Sequence, residues 1–170
     1  MPSLLARLAA RLRGRKADAG GGRGARGTDG GESTASARQG LWGEREAEKW
    51  LVRRTGMKCL GRRVRVGRDE IDLVMEDRFR GGREIVFVEV KTRSSELFGG
   101  GRAAMDRRKR HALCRAVARY MRERPPTPFR IDLVEVYGRA GSGEDPRIEH
   151  QRAAVPMELR YSAPALARRR

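Results

Sequence analysis

Residues 70–76 read EIDLVME and residues 85–91 read IVFVEVK. Both runs are rich in Ile and Val and are bounded by Gly, Arg and Asp, a composition that predicts short buried strands. Each carries an acid in its middle, Asp72 in the first and Glu89 in the second. A carboxylate inside a buried strand costs free energy unless a partner compensates it. Strand side chains alternate between faces, so Glu89 and Lys91 share one face while Val88 and Val90 take the other. Asp77 to Arg83 contains Gly81-Gly82 and predicts a hairpin loop that pairs the two strands. Pairing brings the carboxylates together, with the ammonium beside them. Such a set can hold a divalent cation and a water next to a phosphate. The same residues also suit a metal-free ion cluster, Asp72 and Glu89 against Lys91 or Arg93.

Working outward, residues 42–54 predict a helix with Ala47, Trp50 and Leu51 as its apolar stripe and Gly56 at its C-cap. Glu44 precedes Ala47 by three and Leu51 by seven, so it lies on that stripe, at the helix N-terminus, facing the sheet. Its alternative role is to satisfy orphan amides there. Strands follow at about 58–66, 70–76 and 84–91. Residues 94–102, SSELFGGGR, read as a loop. A long helix spans about 103–123, with Leu113, Ala116, Val117, Tyr120 and Met121 on one face, and Pro125-Pro126 stops it. FRIDLVEVY, 129–137, is the last predicted strand. The order α-β-β-β-α-β predicts a small α/β sandwich with a mixed sheet flanked by helices, because the strand after the long helix can pair in parallel by crossover.

Three regions result. Residues 1–40 are a basic Gly/Arg-rich extension whose stretch 14–40 has almost no large apolar side chain, a composition that predicts disorder. Residues 41–138 form the folded domain, and 139–170 a loop and basic tail. The 170 residues hold 39 Lys+Arg against 22 Asp+Glu, a formal charge of +17, of which +5 falls in the extension. That excess implies a polyanionic partner, most simply nucleic acid. Membrane surfaces and a ribosomal context are the other polyanions it allows. No apolar run approaches a membrane span. The basic, amphipathic start lacks a signal-peptide core. Cys59 and Cys114 have no metal-ligand spacing and fit a reducing cytoplasm.

Lesser candidates surround the acids. Lys109 lies four residues before Leu113 and either reaches a phosphate or snorkels. Arg107, Arg108 and Arg110 make a DNA-facing patch. Arg93 is a candidate backbone clamp. His111 and Cys114 share a helix face, but two ligands do not make a zinc site. Asp132 repeats the IDLV context without a partner motif and reads as structural. Trp42 and Trp50 read as core.

GERxAxxWL from Gly43 to Leu51, then EIDLV, FVEVKTR, FGG, Lys109 and RIDLVEV, in that order, resemble the YraN family of small bacterial endonuclease-like proteins. The likeness covers about residues 40–137. It implies the restriction-endonuclease-like fold of the PD-(D/E)xK superfamily, in the layout of archaeal Holliday-junction resolvases. It further implies Asp72, Glu89 and Lys91 as signature residues, with Glu44 as an additional acid. The expected activity is Mg²⁺- or Mn²⁺-dependent hydrolysis of phosphodiester bonds in DNA, of branched or damaged form. Asp72, Glu89 and the Val90 carbonyl are then the metal donors, and Lys91 orients the water. Glu44 serves a second metal or positions a water. A homodimer is the form such resolvases imply. Two other readings stand beside this one: a non-catalytic nucleic-acid-binding protein, and an RNA- or ribosome-associated module.

Overall fold

The computed structural model describes residues 30–79, 81–93 and 106–161. Helix α1 spans Gly30–Thr55, strands β1, β2 and β3 span Lys58–Val66, Asp69–Phe79 and Gly82–Arg93, and helix α2 spans Arg107–Arg122. Strands β4, Phe129–Tyr137, and β5, Arg147–Gln151, complete one five-stranded sheet in the order β1-β2-β3-β4-β5. A 3₁₀ turn, Leu159–Tyr161, follows. β3 and β4 are parallel, as a crossover through α2 allows, and every other pair is antiparallel. This is the mixed α/β architecture of a restriction-endonuclease-like fold.

The helices cover opposite faces. Ala47 and Leu51 of α1 pack with Leu73, Met75, Val86, Val88, Val134 and Val136. Leu113, Cys114, Ala116 and Val117 of α2 pack with Val74, Ile85, Phe87 and Ile131. β3 alternates between the two layers residue by residue, which is why its apolar run is continuous. Trp42 and Trp50 pack against the α1 layer, as core residues. Gly56, at φ +72°, caps α1 and donates its N–H to the Val52 carbonyl at 3.2 Å.

Four boundaries differ from the sequence reading. α1 begins at Gly30 rather than at residue 42, so residues 30–40 belong to the helix and not to a disordered extension. The described side chains of its first turns, residues 34–38, are exposed, so this end of the helix depends on an anchor further along. The anchor is Gln39, whose amide donates to the Gly138 carbonyl at 2.8 Å and accepts from the Ala140 N–H at 2.9 Å. Residues 77–79 and 82–83 are strand, not loop, and Gly81 at φ +79° carries the turn. Their polar side chains are satisfied across the sheet: Arg83 pairs with Glu76 at 2.5 Å, and Arg130 with Asp77 at 2.8 Å and with Glu84. β5 lies in the region read as tail, because RIEHQ offers only Ile148 as an apolar signal. α2 starts at Arg107, with the Asp106 carboxylate accepting the Arg108 N–H at 3.2 Å. Residues 1–29, 94–105 and 162–170 of the sequence reading lie outside the described residues.

Asp132 is structural, as the sequence suggests. It is 0% exposed and takes hydrogen bonds from Arg130, from His150 at 2.8 Å and from the Ala153 N–H at 2.8 Å. No helix among the described residues is long and apolar enough to cross a membrane.

Gly43 sets how closely α1 approaches β3. A Cβ there would lie 1.9 Å from Thr92 Oγ1 and 3.0 Å from Thr92 Cβ, so rotating the threonine does not clear the space. Gly43→Ala is expected to cost about 1–3 kcal/mol, the usual range for overpacking. Thr92→Gly in the same chain should recover part of that loss, which urea melts of the double-mutant cycle will read.

Candidate active site

The site forms where β2 and β3 part. Their pairing runs from Phe79↔Gly82 to Leu73↔Val88 and ends there. Beyond that point β2 continues beside β1 as far as Asp69, and β3 continues beside β4 as far as Arg93. β2 also changes face. Ile71 packs in the α2 layer and Leu73 in the α1 layer, although residues two apart on a regular strand share a face. The irregularity falls at Asp72. Across the sheet, pairing passes from Arg62↔Leu73 to Val64↔Ile71, leaving Arg63 and Asp72 between. Arg63 has φ +46°, a left-handed backbone uncommon outside glycine. Asp72 therefore sits where its strand changes face, and its Oδ2 accepts the Val90 N–H at 2.8 Å beyond the end of the β2–β3 ladder.

A pocket of about 260 Å³ opens at this fork, lined by Glu44, Asp72, Glu89, Val90, Lys91 and Lys109, with Ser36, Gln39, Gly40 and Thr92 at its rim. Asp72 and Glu89 thus converge, with Lys91 beside them. Glu89 is 1% exposed, and its Oε1 pairs with Lys91 Nζ at 2.9 Å and Lys109 Nζ at 3.3 Å. Its Oε2 is buried with no hydrogen-bond partner. Of the ion cluster allowed by the sequence only the Glu89–Lys91 pair forms, joined by Lys109; Asp72 pairs with neither Lys91 nor Arg93, and one Glu89 oxygen is left over.

The charges are crowded. Burial pushes the Asp72 carboxyl up to about 6, helped by the charge of Glu89 and opposed by the Val90 amide and Lys109. Burial also raises the Glu44 carboxyl, against the pull of Arg63. Burial disfavours the Lys109 ammonium, but Glu89 and Asp72 outweigh it and hold its pKa above the ordinary lysine value.

Glu44 faces this pocket as expected, but from the middle of α1 rather than from its N-terminus. The orphan-amide role is thereby removed, since the amides at mid-helix are already bonded. Among the described residues, no three His, Cys, Asp or Glu side chains form a ready-made metal cage. Glu44 is an outer acid beside an inner pair.

Other candidates separate. Lys109 reaches the site. Arg93 turns to Glu135 at 3.0 Å, and Arg110 to Glu158 at 3.4 Å, so neither lines the pocket. Arg107 and Arg108 are exposed on the first turn of α2. His111 pairs with Glu158 at 2.8 Å. Sequence reasoning missed Arg63, which holds Glu70 at 2.8 Å and approaches Glu44 to 3.9 Å. An arginine in an arginine-rich strand gives no signal. It also missed Gln39, whose neighbours are small and polar.

Comparison with known proteins agrees with the ordered motifs. A family model described as "Uncharacterised protein family UPF0102" matches residues 43–136. A UPF0102 protein of Beutenbergia cavernae is 41% identical over 116 residues, covering 66% of this chain and 92% of its own. One from Parafrankia sp. is 38% identical over 122 residues, covering 70% and 97%. One from Symbiobacterium thermophilum is 37% identical over 103 residues, covering 59% and 83%.

The raised Asp72 pKa has a consequence for stability. Between about pH 4 and 6 the folded chain keeps a proton that the unfolded chain has lost, so stability falls as pH rises through this window. Asp72→Asn removes that loss while its side-chain oxygen can still accept the Val90 N–H. In EDTA the variant is expected to be more stable than wild type at pH 7, by on the order of 1 to 2 kcal/mol. The gap should close toward pH 4. Thermal melts across that range will check it.

Proposed function

The chain belongs to the UPF0102 family, to which the YraN-like motifs point, and from its site we propose that it is a metal-dependent endonuclease hydrolysing phosphodiester bonds in DNA. The observation that carries this reading is the unpartnered, buried Oε2 of Glu89. A buried carboxylate oxygen without a donor is costly, and a cation taken into the adjoining pocket would satisfy it. Mg²⁺ or Mn²⁺ fits this donor set, because Mg²⁺ takes one or two carboxylates and completes its shell with waters and substrate phosphate oxygens. Asp72 and Glu89 would hold it, with the Val90 carbonyl as the third donor of the proposal. When bound, the cation supplies Lewis-acid stabilisation of phosphoryl oxygens and acidifies water.

The chain's own residues do the rest. Lys91 and Lys109 bring two ammonium groups to one side of the pocket, where they offset the charge that gathers on the oxygens of a pentacoordinate phosphorus. Lys91 also hydrogen-bonds the attacking water. Glu44, which lines the same pocket, positions a water. Arg63 holds Glu44 and Glu70 in place across the strand break. The net charge of +17 suits a polyanionic substrate. Phosphate contacts carry no sequence code, so branched or damaged DNA, read by shape, is the proposed class. Two free cysteines suit a cytoplasmic protein, and a homodimer would present one such site to each strand of a duplex.

The test is a cleavage screen over junction, flap, nicked and single-stranded DNA with Mg²⁺ and Mn²⁺. Asp72→Asn, Glu89→Gln and Lys91→Ala should each lower the rate by at least about 10² to 10³ while the fold survives. Glu44→Gln should be milder. Mg²⁺ should raise the melting temperature of wild type and of Lys91→Ala, but not of the two acid variants. Wild-type cleavage by all three would assign the activity elsewhere. DNA binding with neither cleavage nor a metal-dependent melt would favour the non-catalytic reading.

A further inference from the structure

α1 has a second charged side. Arg45, Lys49 and Arg53 recur every four residues, which places them on one stripe about 6 Å apart. All three are exposed. Arg62 of β1 faces them across a groove of about 620 Å³ that Glu48 and Val52 also line. The one acid in the groove is already committed: Glu48 takes Arg62 through both oxygens, at 2.5 and 2.6 Å. Lys49 lies 2.6 Å from Glu46. Arg45 and Arg53 have no ion pair or hydrogen bond among the described residues. Val52 is 43% exposed, the one large apolar side chain so open among those residues.

The groove abuts the site. Glu44 lines the acidic pocket and Arg45, the next residue, lines the groove, so α1 is a wall shared by both. A chain leaving the pocket over α1 meets evenly spaced cations and an apolar contact. Even spacing suits a polymer with one charge per unit, whereas an acidic peptide presents carboxylates irregularly. We propose that this groove holds a nucleic-acid strand running on from the site, with phosphates on Arg45 and Arg53 and a sugar or base against Val52. The proposal rests on the nucleic-acid reading of the same site, and it names where substrate beyond the scissile bond is gripped.

The experiment uses the full chain in EDTA, where binding is read without cleavage. The probe is a fluorescein-labelled oligodeoxythymidine of about twenty nucleotides, followed by anisotropy between about 50 and 200 mM salt. R45E/R53E should weaken binding on the order of tenfold or more and lower the slope of log K against log salt by about 1.4, two single-strand phosphate contacts. R78E/R122E, an equal change at two exposed cations of the β2–β3 hairpin and α2, should lose clearly less. Val52→Ala should weaken binding without changing the slope. Equal losses in the two charge-reversed proteins would overturn the proposal. So would a polyglutamate peptide displacing the oligonucleotide from wild type more effectively than unlabelled oligodeoxythymidine does, which would assign the groove to acidic protein. Absence of cleavage in the metal-supplied screen would fail the nuclease reading and leave this binding result standing.

Discussion

The end of the β2–β3 ladder at Leu73↔Val88 is the constraint on which the site depends. While two strands remain paired, their backbone groups are consumed and their side chains are confined to two faces. Once they part, an N–H becomes available, and here Val90 gives it to Asp72. The fork also lets groups from both helical layers meet. Glu44 arrives from α1 and Lys109 from α2, at a level of the sheet where an unbroken ladder would keep the layers apart. The glycine at 43 is the matching condition on the α1 side, since only a residue without Cβ lets the helix sit this close to Thr92.

The chain contains its own control for this argument. The string IDLV occurs twice, at 71–74 and at 131–134, each time with its aspartate in a strand of the same sheet. Asp132 is fully enclosed and fully satisfied by an arginine, a histidine and a backbone amide. It ties β4 to β5 and to the turn after it. Asp72 has one amide and a repelling glutamate, and its pKa rises. The same four letters therefore yield a structural brace in one place and a pocket-lining carboxylate of raised pKa in the other. The difference lies in what the neighbouring strand does, which no local reading of the string can reveal.

That contrast also explains what was legible beforehand. β3 and the apolar face of α2 were readable because burial imposes a regular pattern on them: a continuous Val/Ile/Phe run between two layers, and Leu113, Ala116 and Val117 at helical spacing. Glu89 and Lys91 follow from period two once the strand is known. Asp72 was found through its company and lies within β2 as read, at a point where the strand changes face. The start of α1, β5 and Arg63 were not readable. The start of α1 is held by contacts remote in sequence, Gln39 by residues 138 and 140, while β5 offers only Ile148 as an apolar signal and Arg63 is one arginine among several in its strand. The pairing of Arg93 was not readable for the same reason: Glu135, its partner, comes from another strand.

β1 lies at one margin of the sheet, with its outer side unpaired by any other strand in the described residues. An open margin normally invites another chain to add itself and begin a fibre or an unwanted assembly. This one is poorly suited as a template. A bulge between Cys59 and Gly61 puts it out of step, the left-handed residue at 63 bends it again, and arginines at 62, 63 and 65 stand exposed along it. An incoming copy would meet matching positive charge and an interrupted ladder. The irregularity at Arg63, opposite Asp72, thus also makes the outer margin of β1 a poor seat for a second chain.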